Sequence, residues 1–101
     1  MYTYRDLIRK YSADVMSGHA DRDLSPRKRR LTAVLLNLAS NTGWADVPYP
    51  PTPETRDLAC QYLGKIVWDG GAGALVRATS PAAADDFSIS LDLALTILRN
   101  V

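Results

Sequence analysis

The chain has 101 residues, of which 47% are apolar and 23% are charged. A chain of this length can form one small hydrophobic core, so the sequence predicts a single helical domain over residues 1–101 and excludes a second domain. Twelve basic and eleven acidic residues leave a net charge of +1, which excludes a global field that would draw the protein onto nucleic acid or an anionic membrane.

The first predicted helix runs from Tyr4 to about Met16. Thr3 is suited to cap this helix, and Asp6, three residues later, completes a capping box. Gly18 predicts its end. The apolar residues recur at the spacing of one helical face, and they are Tyr4, Leu7, Ile8, Tyr11 and Val15.

The second predicted helix runs from Pro26 to about Ser40 and has the clearest signals in the chain. Ser25 is a favourable N-cap residue, and Pro26 suits the first helical position, where its missing N–H is no loss. Arg29 is expected to project almost opposite the buried face. That face is predicted to contain Leu31, Val34, Leu35 and Leu38.

Four consecutive cations begin this second helix, and they are Arg27, Lys28, Arg29 and Arg30. Cations at a helix start are unfavourable by roughly 0.3–1 kcal/mol each, because the free N–H groups there carry partial positive charge. We therefore expect an anion nearby. If Asp21 and Asp23 neutralise the run, it is a solvated helix end. Otherwise it is a binding site for phosphates or for the acidic surface of a partner, with Tyr11 or Trp44 stacking beside it.

A proline-rich connection over residues 47–53 predicts an extended, stiff segment, with Trp44 and Tyr49 covering the apolar edge of the helices. The sequence Thr52-Pro53-Glu54 then opens a third helix, which Asp69-Gly70-Gly71 should end. Residues 72–80 suit a short helix or a strand about equally, and we favour the helix. The predicted buried face of the third helix contains Leu58, Tyr62, Leu63, Ile66 and Val67.

The last apolar segment, residues 87–98, fits two structures. Strict alternation of apolar residues is the pattern of a strand. The leucine-rich composition, the length and the cap candidates Asp85 and Asp86 favour a helix. We expect the helix, which makes the fold mostly α, a small bundle of about four helices. The alternative is an α+β fold with a short C-terminal meander over residues 65–68, 74–78 and 87–98.

The sequence contains few residues suited to catalysis, with one histidine and one cysteine. His19 lies in a predicted loop, where carboxylates would have to complete any metal site, so we expect a solvent-facing side chain and no metal. Cys60 lies in an apolar helical pattern and is interpreted as a buried, inert thiol. The glycines at 70–73 match neither a phosphate-binding nor a dinucleotide-binding loop. We expect no catalytic residues, no cofactor and no enzymatic activity.

These features favour a small non-enzymatic regulator, adaptor or inhibitor that acts through protein–protein contact. Its partner would present an acidic surface to residues 27–30, and surplus apolar surface on the last helix predicts a homodimer. The alternative is a nucleic-acid or nucleotide-binding protein that uses the basic start of the second helix. No stretch is long and apolar enough to span a membrane, and no signal peptide is visible, which predicts a soluble, cytoplasmic protein with no membrane contact.

Overall fold

A computed structural model of the protein describes residues 2–19, 23–69 and 81–101. This part of the chain contains four α-helices: α1, Tyr4–Ser17; α2, Pro26–Ser40; α3, Pro53–Asp69; and α4, Pro81–Asn100. The expected small bundle of helices is confirmed. The alternative meander is wrong, since residues 65–68 and 87–98 lie in helices, while residues 72–80 lie outside the described ranges. No helix within those ranges is long and apolar enough to cross a bilayer.

The predicted ends of α1 and α2 are confirmed. The Thr3 hydroxyl accepts from the Asp6 N–H at 3.3 Å, and the Asp6 carboxylate accepts from the Thr3 N–H at 3.0 Å. Gly18 ends α1 in the left-handed conformation, with φ 81°. Ser25 caps α2 by accepting from the Lys28 N–H at 3.3 Å. Each of these interactions spans a few residues, which is why the sequence predicts them.

The prediction that Asp85 and Asp86 cap the last helix is wrong. The helix begins at Pro81, so both acids lie beyond its first turn. Proline suits the first helical position, and the alanines that follow it are strong helix formers. The helix therefore extends six residues, more than one and a half turns, further toward the N-terminus than Phe87, where the apolar pattern begins.

Helix α2 packs against each of the other three helices. It runs antiparallel to α1, because the Ser12 hydroxyl donates to the Ala33 carbonyl at 3.0 Å near the middle of both helices and Arg5 bonds to the Thr42 carbonyl just beyond the end of α2. The start of α2 lies beside the first half of α4, where the Ser90 hydroxyl reaches the Lys28 carbonyl at 3.4 Å. The molecule is therefore organised around α2.

The buried face of α2 is not the predicted one. Of the predicted stripe, Leu35 is buried, Leu31 and Leu38 are half-buried, and Val34 is 47% exposed. Small side chains let neighbouring backbones approach closely, so that hydroxyl groups of α1 and α4 reach carbonyl groups of α2. A prediction based on the spacing of large apolar residues does not identify a buried face that is made largely of small ones. The buried residues of α2 are Thr32, Ala33, Leu35, Leu36, Ala39 and Ser40.

The predicted faces of α1 and α3 are right in part. In α1, Tyr11 is exposed and Leu7 half-buried, whereas Ser12 is buried through its bond to α2. In α3, Leu58 is exposed although it was predicted to be buried, and Tyr62 and Ile66 are half-buried. Apolar spacing therefore identifies these helices but not the exact rotation of each. The predicted core residues that are buried are Tyr4, Ile8, Val15, Leu63 and Val67.

The proline-rich connection is held against the residues that precede α1. The Tyr4 N–H donates to the Val47 carbonyl at 3.0 Å, and the Tyr49 N–H donates to the Tyr2 carbonyl at 3.1 Å. The rings of Tyr2 and Tyr49 meet edge to face, with centroids 6.1 Å apart. A short 3-10 helix, Gly43–Asp46, joins α2 to this segment.

Candidate functional site

The first residue of the basic run is paired with a carboxylate of another helix. The Arg27 Nε atom lies 3.4 Å from an oxygen of Asp86 on α4. More than half of the Arg27 side chain is exposed, and a pair in such a position contributes only about 0–1 kcal/mol. The anion expected near the run is thus supplied in part by α4. Of the two predicted candidates, Asp23 lies in the turn before α2 and Asp21 lies outside the described residues.

Arg29 is turned toward the end of α1. A Cβ atom placed on Gly18 would overlap its guanidinium group, so the two residues are in close contact. The last carbonyl groups of α1 carry partial negative charge, and the last turn of α1 has no basic residue of its own. Arg29 therefore supplies a cation to that helix end. Its Nε atom is buried and has no hydrogen-bond partner among the described residues.

Arg27 and Arg30 remain on the outward face of α2, whereas Lys28 is half-buried. Two further exposed residues, Val34 and Asn37, follow at positions that share this face of the helix. We refer to Arg27, Arg30, Val34 and Asn37 as the α2 strip. It combines two guanidinium groups, an exposed aliphatic side chain and an amide on one rigid element.

The structure separates one of the two predicted stacking residues from the basic run. Trp44 follows the C-terminal end of α2, and its ring contacts Tyr62 of α3 edge to face, with centroids 5.2 Å apart. Tyr11 is closer, because Ser12, the next residue, bonds to Ala33. Tyr11 therefore lies near the level of Val34, roughly one helical turn beyond Arg30.

A second exposed strip lies on α4, the helix whose surplus apolar surface predicted a homodimer. Phe87 and Leu91 are four residues apart and both are buried. Ile89, midway between them, falls on the opposite side of the helix and is 47% exposed. Asp85 and Asp92 are exposed on the same side as Ile89. We refer to Asp85, Ile89 and Asp92 as the α4 strip. The alternation that resembled a strand was its only signal.

The residues considered for catalysis are not brought into a shared site. His19 is exposed, as expected, with its Nδ1 atom 2.9 Å from the Ser17 hydroxyl oxygen. Cys60 is buried, as expected, with its sulfur 3.8 Å from the Leu95 carbonyl oxygen. Burial raises the pKa of the Cys60 thiol, which disfavours the reactive thiolate.

Among the described residues, no group of three histidine, cysteine or acidic side chains is arranged to hold a metal ion. No family model matches this sequence, and no curated protein or solved structure matches it. Functional inference therefore depends on the chemistry of the two strips.

Proposed function

We propose that this protein is a non-catalytic protein-binding module, acting as a regulator, adaptor or inhibitor, and that it contacts an acidic partner surface through the α2 strip. The observation that supports this proposal is the exposure of Arg27, Arg30 and Val34 on one helical face. Arginine is enriched at protein interfaces, and an aliphatic residue beside it adds area that can be removed from water. A regular helix presents all of these groups on a backbone that is already ordered, so the ordering cost of binding is limited to the side chains.

Nucleic-acid or nucleotide binding is the alternative function, and the same contacts make it less favourable. Arg29 is turned toward Gly18, and Arg27 is paired with Asp86. Of the four cations in the run, Arg30 is exposed and has no such contact with a described residue, and Lys28 is half-buried. Proteins that bind nucleic acid tightly neutralise several phosphates, commonly about six or more. Val34, in the centre of the strip, offers nothing to a phosphate.

The binding proposal can be tested with a pair of matched double variants. Arg30→Glu with Val34→Asp reverses the charge of the α2 strip and removes its aliphatic centre. Arg9→Glu with Ala13→Asp makes the same kind of change, with the same spacing, at exposed positions of α1. In affinity capture from an extract of the native host, we expect the wild type and the α1 variant to retain the same protein, and the α2 variant to lose it. Equal retention by all three proteins would place the contact elsewhere.

The nucleic-acid alternative is tested by titration with duplex DNA, single-stranded RNA and a nucleoside triphosphate at two salt concentrations. The proposed function predicts no saturable binding at physiological salt. Affinity that falls steeply with salt, by a log–log slope of roughly −0.9 for each phosphate contact on duplex DNA, would instead support the alternative. Loss of that binding in Arg30→Glu, but not in Arg9→Glu, would then assign it to the start of α2.

A further inference from the structure

The two exposed strips carry opposite charges. The α2 strip carries Arg27 and Arg30, and the α4 strip carries Asp85 and Asp92. Each strip also exposes one β-branched aliphatic residue: Val34 and Ile89 are both 47% exposed. Inside each molecule, Arg27 of α2 pairs with Asp86 of α4. A cation of α2 and a carboxylate of α4 therefore already form an ion pair within one chain.

The positions of these acids have no explanation within α4 itself. Acidic residues are favourable in the first turn of a helix, where they interact with the helix dipole. Asp85 and Asp92 lie beyond the first turn of a helix that begins at Pro81. Glu54 provides a contrast, because it is the acidic residue of the first turn of α3. An exposed aliphatic residue between two such carboxylates is better suited to an external cationic surface.

We infer that the acidic partner of the α2 strip is the α4 strip of a second copy of this chain. This inference rests on the proposed function and names its partner. In the contact, the guanidinium group of Arg30 meets the carboxylate of Asp85 while Val34 meets Ile89, because both pairs are four residues apart, and the two aliphatic residues are removed from water together. Arg27 keeps its pair with Asp86 of its own chain. The opposite net charges of the strips orient the two copies, and the aliphatic pair contributes the part of the contact that salt does not screen.

The contact joins two different surfaces, and every copy carries both. Association of this type continues beyond two copies unless the assembly closes on itself. A contact of one helix face on another is small, so it should form at high protein concentration. We therefore expect the average mass in sedimentation equilibrium to equal the 11.1 kDa of one chain at micromolar concentration and to rise progressively toward millimolar concentration.

A charge exchange between the strips tests the pairing directly. Arg27→Glu with Arg30→Glu, and separately Asp85→Lys with Asp92→Lys, should each remain at the mass of one chain, because like charges then face each other. An equimolar mixture of the two variants should regain the concentration-dependent rise in mass, since the reversed α2 strip matches the reversed α4 strip and the two unchanged strips match each other. Arg30→Glu alone keeps the Arg27–Asp86 pair and should reduce association without affecting the fold.

The matched control is Glu54→Lys with Asp57→Lys, which reverses two exposed acids of α3 beside the exposed Leu58. This variant should associate like the wild type. Far-ultraviolet circular dichroism of every variant should retain the helical signal of the wild type. The inference is overturned if the wild type stays at one chain mass at millimolar concentration, if the mixture shows no recovery, or if the α3 variant alone abolishes association.

Failure of this inference is distinguishable from failure of the proposed function. A wild-type protein that stays monomeric, while host-extract capture still depends on Arg30 and Val34, would contradict self-association and leave a different acidic partner for the α2 strip. Self-association that charge reversal on α2 leaves unchanged would contradict the inference alone. Host-extract capture that does not depend on Arg30 and Val34 would contradict the proposed function.

Discussion

Buried hydroxyl groups illustrate how single residues respond to the close packing around α2. The Thr42 hydroxyl donates to the Ala39 carbonyl at 3.1 Å. The Thr32 hydroxyl oxygen, fully buried, has no hydrogen-bond partner. A helical threonine can donate to the carbonyl four residues earlier, but here that carbonyl, of Lys28, accepts from Ser90 of α4. The interhelical bond has replaced the local one.

Replacing Thr32 by valine should therefore stabilise the protein. The substitution keeps the shape of the side chain and removes a buried hydroxyl group whose lost hydration is not compensated. We expect the free energy of unfolding in urea to increase by about 1 kcal/mol. Thr42→Val is the control, because it removes the hydrogen bond from the Thr42 hydroxyl to the Ala39 carbonyl. It should lower the free energy of unfolding by about 1 kcal/mol. A loss of stability in Thr32→Val would mean that the hydroxyl is satisfied in solution.

The capping box of α1 predicts a pH dependence. Hydrogen bonds from the backbone N–H and the hydroxyl of Thr3 hold the pKa of the Asp6 carboxyl below its usual range. A lowered pKa means that the folded state binds this proton less readily than the unfolded chain. The stabilisation is therefore complete above the unfolded pKa and is lost as the pH falls through the folded pKa.

Comparison of the wild type with Asp6→Asn measures this effect. The wild type should have the higher urea midpoint at neutral pH. The difference should shrink as the pH falls below about 4, where the carboxyl of the unfolded chain becomes protonated while that of the folded state is still ionised. Asp57→Asn, at an exposed position of α3, controls for the general loss of one negative charge. A difference between wild type and Asp6→Asn that stays constant down to low pH would exclude the charged cap as its cause.

At the scale of elements, the ends of α1 and α2 were predictable, whereas the start of α4 was not and the buried faces were predicted only in part. Thr3, Ser25 and Gly18 act within one turn of the residues they cap, so a short stretch of sequence contains both partners. The buried face of α2 depends instead on what packs against it, and it is rich in small residues that carry little apolar signal. Val34 belongs to the predicted buried stripe, yet it is 47% exposed. It is part of the α2 strip because the other helices pack against a different side of α2.

Two glycines, one that ends α1 and one inside α3, should respond to alanine with opposite signs. Gly18 has φ 81°, a conformation that costs an alanine about 1–2 kcal/mol, so Gly18→Ala should destabilise by about that amount and displace Arg29. Gly64 lies inside α3, where an added Cβ would meet no atom within 4 Å. Gly64→Ala should stabilise by about 0.5–1 kcal/mol through the higher helix propensity of alanine. Urea unfolding of both variants checks the pair, and equal effects would contradict the assigned backbone conformations.

At the scale of the whole molecule, a hydrogen bond joins the first helix to the last. The buried Tyr4 hydroxyl donates to the Leu98 carbonyl at 2.6 Å. Leu98 is among the last four residues of α4, whose carbonyl groups lack a partner within the helix. Burial raises the pKa of the Tyr4 hydroxyl well above its usual range, so the hydroxyl stays protonated and donates this hydrogen bond at neutral pH.

Tyr4→Phe should lower the free energy of unfolding by about 1–2 kcal/mol, because it leaves a buried carbonyl of α4 without a donor. The slope of the unfolding free energy against urea concentration should remain unchanged, since the surface exposed on unfolding stays the same. Tyr49→Phe is the matched control at a half-exposed ring, and it should change stability by less than about 0.5 kcal/mol. Equal effects of the two substitutions would mean that the bond between α1 and α4 contributes nothing.

The sequence by itself determined that this protein is a small helical bundle, where α1 and α2 begin and end, and that Cys60 is buried. Those properties follow from capping residues and apolar spacing, which act over one or two helical turns. Only the tertiary structure decided that Asp86 pairs with Arg27, that Arg29 contacts Gly18, and that the outward face of α2 carries Arg30 and Val34. These contacts join residues from different helices, and their partners depend on how closely small side chains allow the helices to pack.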